Sequence, residues 1–202
     1  MARSRASGQG WRTPPAIPVP DAAPEDPEGL RLLTVGHGTA SREEFTRLVR
    51  GAGVQMVVDV RSVPGSRRFP QFGRAELRAW LPGAGVGYRW EARLGGFRRP
   101  APDSPNVALR HAAFRGYADY MASDMFAAAL AGVASEASRQ VTAIMRAETL
   151  WWRCHRRLIA DAAVLVYAAR VWHLGHDRRL TEHRLTDGVR RGASGGLVYD
   201  GG

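Results

Sequence analysis

Residues 144–169 read IMRAETLWWRCHRRLIADAAVLVYAA, and a change of period inside this stretch decides the fold. Residues 141–145 are apolar and partly β-branched, the composition of a buried strand. From Cys154 onward the apolar positions are Leu158, Ile159, Ala162, Leu165, Val166 and Ala169, which is helical spacing. Between the two periods stand Arg146, Glu148, Trp151, Trp152, Arg153, Cys154, His155 and Arg156. Open α/β proteins bind ligands where a strand's carboxyl end gives way to a helix. A crossing this rich in ionisable groups therefore marks a candidate site in an alternating α/β chain.

Working outward, RLLTV at residues 31–35 predicts a first buried strand that runs into Gly36-His37-Gly38-Thr39. Glycines at that point let backbone N–H groups approach a bound anion, although a tight turn needs the same residues. His37 is a candidate acid–base group there. Ser41 followed by Glu44 has the reciprocal capping pattern, and Phe45, Leu48 and Val49 share one face of the helix it opens. Residues 54–60, VQMVVDV, predict the second strand. Side chains alternate along a strand, so Asp59 and Arg61 point the same way. They make either a structural ion pair or a site carboxylate beside an anion-binding arginine, with Arg67 and Arg68 adding donors. The cost of burying charge without a purpose favours the site.

The remaining pattern predicts a helix over 73–81, an edge strand over 86–90 and a long loop over 93–105 whose Leu94-Gly95-Gly96 could approach a ligand. Two helical pieces, 113–121 and 125–137, divide at Ser123-Asp124, with Tyr117, Tyr120 and Phe126 as core. Residues 171–174 are the last expected strand and carry His173; Leu185 is the last expected anchor. The expected fold is α/β: an open, mostly parallel, three-layer Rossmann-like sheet with helices on both faces, as a single domain over residues 30–185. Residues 1–29, with six prolines, are expected to form a disordered arm, and residues 186–202 a flexible Gly-rich tail.

The net charge is +10, Lys is absent so that Arg supplies all of the Lys+Arg count, and the central segment carries the whole excess, +11, against −1 for residues 1–29 and 0 for residues 186–202. A body this basic favours anionic partners: a phosphorylated small molecule, a nucleotide or nucleic acid. No apolar run approaches the ~18 residues that span a bilayer, so no membrane association is expected. The N-terminal stretch lacks a secretory apolar run, and Cys154 is the sole cysteine, which together fit a cytoplasmic protein without disulfides.

Several stretches match one pattern: TVGHGT (34–39), VVDVRSVPGSRRFPQFG (57–73), LGG (94–96), RGYADYM (115–121), CHRRLIADA (154–162) and VWHL (171–174). In their order and number they resemble the domain of unknown function 488 family over residues 30–176. The resemblance implies an α/β domain and no general activity. Members commonly carry Cys-Ala-Glu after the central strand, where this chain has Arg146-Ala147-Glu148. A redox pair or two-cysteine metal site is therefore not expected.

The candidate chemistry is as follows. Asp59, Glu148, Cys154 and His37 are the catalytic candidates. Gly36, Gly38, Thr39, Arg61, Arg67, Arg68, Arg153, His155, Arg156 and His173 are the substrate-binding ones. Cys154 near a helix start, beside Arg153 and Arg156, is expected to favour its thiolate. The leading expectation is an enzyme acting on an anionic, phosphorylated or nucleotide-like substrate, with Asp59 or Glu148 in acid–base or nucleophilic work. A basic nucleic-acid-binding module is the alternative. Metal-dependent hydrolysis through some of His37, Asp59, Glu148 and His173 ranks third because no compact HxxxH-like spacing supports it, and no metal or cofactor is expected.

Overall fold

The computed structural model describes the backbone of residues 17–18 and residues 29–65, 67–193 and 195–202. The expected Pro-rich arm thus lies almost wholly outside the described residues. The strands are β1 (Ile17–Pro18), β2 (Arg31–Gly36), β3 (Met56–Asp59), β4 (Gly87–Trp90), β5 (Thr142–Arg146), β6 (Arg170–Leu174), β7 (Arg179–Glu182), β8 (Val189–Arg191) and β9 (Leu197–Tyr199). The helices are α1 (Arg42–Gly51), α2 (Arg74–Gly83), α3 (Ala112–Met121), α4 (Asp124–Ala137) and α5 (Arg156–Tyr167). The main sheet has the order β1-β7-β6-β2-β5-β3-β4. Strands β6, β2, β5, β3 and β4 run parallel, and β7 and β1 close one edge antiparallel.

Alternation along the strands builds two cores. Leu33, Val35, Val57, Ala143 and Met145 face α1 and α2, where Phe45, Leu48, Leu77 and Leu81 meet them. Leu32, Val58, Ile144 and Val171 face the other way, onto Leu130, Leu158 and their neighbours in α3, α4 and α5. Helices cover both faces, as the three-layer expectation requires. The helix that follows β2 lies on one face and the helix that follows β5 on the other. These two strands are neighbours, so their carboxyl ends form the topological switch point of the sheet.

Local signals act as expected at α1, where Ser41 and Glu44 complete a capping box, and at α4, where the Ser123 side chain accepts from Phe126 N–H. The carboxyl-terminal region differs from its expectation. Residues 171–174 are not the last strand, and residues 186–202 are not a tail without structure. β8 and β9 pair as a hairpin, Tyr199 is fully buried, and Leu185 is the exposed residue. Long-range polar contacts hold the hairpin: Tyr199 N–H donates to Asn106 Oδ1 at 2.9 Å and its hydroxyl donates to Asp161 Oδ2 at 3.0 Å.

Asp161 in turn anchors a buried chain of groups. Its Oδ1 accepts from Thr186 N–H at 2.9 Å and meets His183 Nε2 at 2.9 Å. His183 Nδ1 lies 3.0 Å from His173 Nε2, and Thr34 Oγ1 lies 2.7 Å from His173 Nδ1. One proton direction satisfies every member, from threonine through both imidazoles to the carboxylate. Replacing Tyr199 by Ala is expected to remove about 3–5 kcal/mol of stability by urea unfolding, the usual cost of a large-to-small change at a buried aromatic. An effect under about 0.5 kcal/mol would mean that the segment is an unanchored tail after all.

Candidate functional site

Apart from His173, the predicted site residues lie toward the carboxyl edge of the parallel strands, but they divide between the two faces of the sheet. On the α1–α2 face sit His37, Asp59 and Arg61. Asp59 is fully buried and both its oxygens are engaged: Oδ1 by Arg61 Nε at 2.8 Å, Oδ2 by Arg61 Nη2 at 2.6 Å and by the Tyr88 hydroxyl at 3.0 Å. Arg61 also donates to the Phe72 carbonyl at 2.7 Å. The His37 ring stacks on Phe72 at 4.2 Å, turns Nδ1 to the Gly38 carbonyl at 3.0 Å and receives Arg61 Nη1 at Nε2, 3.3 Å away. Burial, then the Arg61 charge, lowers the His37 pKa to about 4, so the ring is neutral near pH 7. The geometry here is that of the structural ion pair.

The Gly36–Thr39 turn is equally occupied. His37 N–H and Gly38 N–H donate to the carbonyls of Arg146 and Ala147 at 2.8 and 2.9 Å. A Cβ on residue 36 would stand 2.0 Å from the Glu148 carbonyl oxygen, so glycine is needed there for loop-on-loop packing. Arg67 and Arg68 are exposed on the loop after β3. His173 is interior, stacked on Trp151 at 3.8 Å within the Asp161 chain, and is not at the strand-end edge.

On the opposite face a cleft of about 410 Å³ opens at the end of β5. Gly96 and Phe97 of the loop after β4, the first turns of α3, Arg146 and Glu148, and residues 152–155 line it. Arg146 is its organising group. Its side chain is 9% exposed, and Nη1 donates to His155 Nδ1 at 2.6 Å while Nε lies 3.2 Å from Glu148 Oε2. His155 Nε2 reaches the Leu94 carbonyl at 3.0 Å, an acceptor that the Tyr117 hydroxyl shares at 2.9 Å. Burial and the adjacent Arg146 hold the His155 pKa well below its ordinary value. The neutral ring is therefore an N–H donor to Leu94 and an acceptor for the guanidinium. A Cβ at Gly96 would meet Arg146 Nη1 at 2.9 Å and His155 Nδ1 at 3.0 Å, so a side chain there would have to displace the pair over which the loop closes.

Glu148 is the accessible carboxylate of the cleft, its side chain 42% exposed. Cys154 Sγ donates to its Oε2 at 3.4 Å. The expected thiolate is not favoured. Cys154 is buried, and desolvation raises its pKa against the opposing pull of Arg156, with Glu148 raising it further. Arg156 is itself 1% exposed, donating Nη2 to the backbone carbonyls of Glu148 and Thr149. No carboxylate pairs with it among the described residues, while Arg153 at the rim is exposed. Arg146 and Trp152 stand in the ionisable crossing but carry no local sign of a role, and Phe97 and Phe114 have no signal beyond the LGG loop that precedes Phe97.

Among the described residues no group of three or more His, Cys, Asp and Glu side chains is gathered as a metal site needs, and no helix is long and apolar enough to cross a membrane. His37, Asp59, Glu148 and His173, from which a hydrolytic metal site would draw its ligands, belong to three separate clusters.

The fold and the cleft define a parallel α/β protein whose candidate site lies at the strand carboxyl ends. The family described as "Domain of unknown function DUF488" matches residues 41–163, more than half of the chain, and the chain belongs to that family. No curated protein and no solved structure matches it.

Three histidines, His37, His155 and His173, have lowered pKa values through burial, so the unfolded chain takes up protons near pH 6.5 that the folded chain refuses. Stability is then full above that pH and falls as the pH drops from about 6.5 toward 4. Each histidine contributes a slope of up to about 1.4 kcal/mol per pH unit. Urea unfolding at pH 7, 6 and 5 measures this, and a flat profile would refute neutral burial. The thiol offers a second check. Cys154 is expected to react with an aromatic disulfide reagent at least about tenfold faster in urea than in native buffer; equal rates would restore the exposed thiolate.

Proposed function

We propose that the chain is an enzyme acting on an anionic, phosphate-bearing substrate held in the cleft at the end of β5. The observation that carries this is Arg146, a nearly buried guanidinium at a topological switch point, held by a neutral imidazole and paired with a carboxylate, Glu148, that is itself open to the cleft. Arg146 and the exposed Arg153 would take the anion, since a guanidinium fork matches phosphate oxygens. Glu148 would serve as general base or nucleophile, being the carboxylate open to the cleft. Cys154, a protonated thiol donating to that carboxylate, would position it. Asp59 and His37 fall outside this machinery.

The basic charge of the body, +10 over the chain, favours nucleic acid as the second reading. The two separate by salt: nucleic-acid binding through many phosphates weakens by orders of magnitude between low and moderate salt.

A thermal-shift screen with inorganic phosphate, phosphorylated sugars and mononucleotides tests the proposal. At about a hundredfold excess over Kd, a phosphate-bearing ligand should raise the melting temperature by about 5 °C or more. The shift should vanish in Arg146→Gln and shrink in Arg153→Gln. Glu148→Gln should keep the shift and lose turnover by at least about 100-fold. Equal shifts in wild type and both arginine variants would remove the cleft from the function.

A further inference from the structure

We propose that the ligand carries a planar heteroaromatic ring, which makes the substrate class a nucleoside phosphate rather than a phosphorylated sugar; this rests on the cleft being the anion site proposed above. The cleft lining combines two kinds of group: the guanidinium side chains of Arg146 and Arg153, and the aromatic side chains of Phe97, Phe114 and Trp152.

Phe97 is the informative residue. It is 83% exposed, the largest exposure among the large apolar side chains described. Its φ of +65° is a left-handed conformation that residues with a Cβ rarely adopt. The flanking backbone is nonetheless pinned: the Gly96 carbonyl accepts from Ser62 Oγ and Arg98 Nη1, both at 3.0 Å, and the Phe97 carbonyl accepts from Arg98 Nη1 at 3.3 Å. A loop held in an unfavourable conformation so as to keep an aromatic ring in water is unaccounted for by packing. It is accounted for by a ligand that covers the ring.

The placement of the ring fits that use. The Arg146 guanidinium lies 5.6 Å from the Phe97 ring centroid, so ring and charge are neighbours within one ligand's reach. Trp152 is oriented from behind by Trp151, edge to face at 5.6 Å, and Trp151 is itself locked by its stack on His173. A base has a π-face for these rings and a phosphate for the arginines, whereas a phosphorylated sugar satisfies only the arginines.

Binding of a 5′-mononucleotide, ribose 5-phosphate, the free nucleoside and a short single-stranded oligonucleotide to the full chain, followed by calorimetry and tryptophan fluorescence, tests the inference. The mononucleotide should bind at least about tenfold more tightly than ribose 5-phosphate and quench fluorescence, with the quench reduced in Trp152→Phe. Phe97→Ala removes an exposed side chain and leaves the fold intact. It should weaken the mononucleotide about fivefold or more and move ribose 5-phosphate by less than about twofold. Equal affinity for mononucleotide and ribose 5-phosphate, unmoved by Phe97→Ala, would overturn the ring while the phosphate site stands. A nucleoside that binds as well as its phosphate would overturn the phosphate site instead. An oligonucleotide bound about 100-fold more tightly than the mononucleotide, with steep salt dependence, would overturn the small-molecule class.

Discussion

The contact between the neutral His155 ring and the Arg146 guanidinium governs the rest of the candidate site. A buried guanidinium ordinarily needs a carboxylate, because desolvating an unpaired charge costs several kcal/mol. Here an imidazole nitrogen satisfies one of its N–H groups at 2.6 Å without neutralising it. The Leu94 carbonyl fixes the opposite ring nitrogen as the donor, and Gly96 leaves room for the loop to close over both. The carboxylate that does pair with Arg146, Glu148, is 42% exposed, so the pair stays open to the cleft. His37 holds Arg61 in the same way, but its carboxylate, Asp59, is fully buried, and that pair is closed within the fold.

The opposite fates of these two arginines follow from strand register. Asp59 pairs with Met145, not with Arg146, so the two charged strand ends are one residue out of phase. Alternation then sends Asp59 and Arg61 to the α1–α2 face with Val57, and Arg146 to the α3–α5 face with Ile144. Within a single strand this is legible: Asp59 and Arg61 point the same way, as alternation requires, and pair. Between strands it depends on a register that local pattern does not contain. The shared edge was therefore predictable from the order of strands and helices, while the division of the edge into a buried ion pair and an open cleft was not.

The same distinction explains where the reading of the fold succeeded and failed. Helix α1, the break between α3 and α4 and the central β5–α5 crossing are specified by caps and periods lying within a few residues of each other. The final hairpin is specified by partners 38 and 93 residues away in the chain, Asp161 and Asn106. Its own sequence, GVRRGASGGLVYDGG, holds only three residues of strand-like pattern, too short to outweigh its glycines. His183 was invisible for the same reason: an isolated histidine acquires meaning only beside His173 and Asp161. Asp161 itself, on the buried face of α5, is a charge that helical periodicity alone places in the core without naming what answers it.

The charge balance of the cleft leads one step further on the proposed function. Arg156 stands at the first position of α5, where the helix dipole is already positive, and it is buried without a carboxylate partner among the described residues. It lies behind the cleft lining and holds the Glu148 backbone carbonyl, while Arg146 and Arg153 in the lining set two cations against Glu148. That carboxylate is held loosely, with one oxygen 3.4 Å from Arg146 Nη2 and the other 3.2 Å from its Nε. An incoming phosphate is the stronger partner for a guanidinium, because it offers more charge and more acceptors. Its arrival on Arg146 would loosen the hold on Glu148 at the moment a base is needed beside the bound group. The fold's incomplete neutralisation of its own arginines would thus serve both to bind an anion and to release the carboxylate that acts on it.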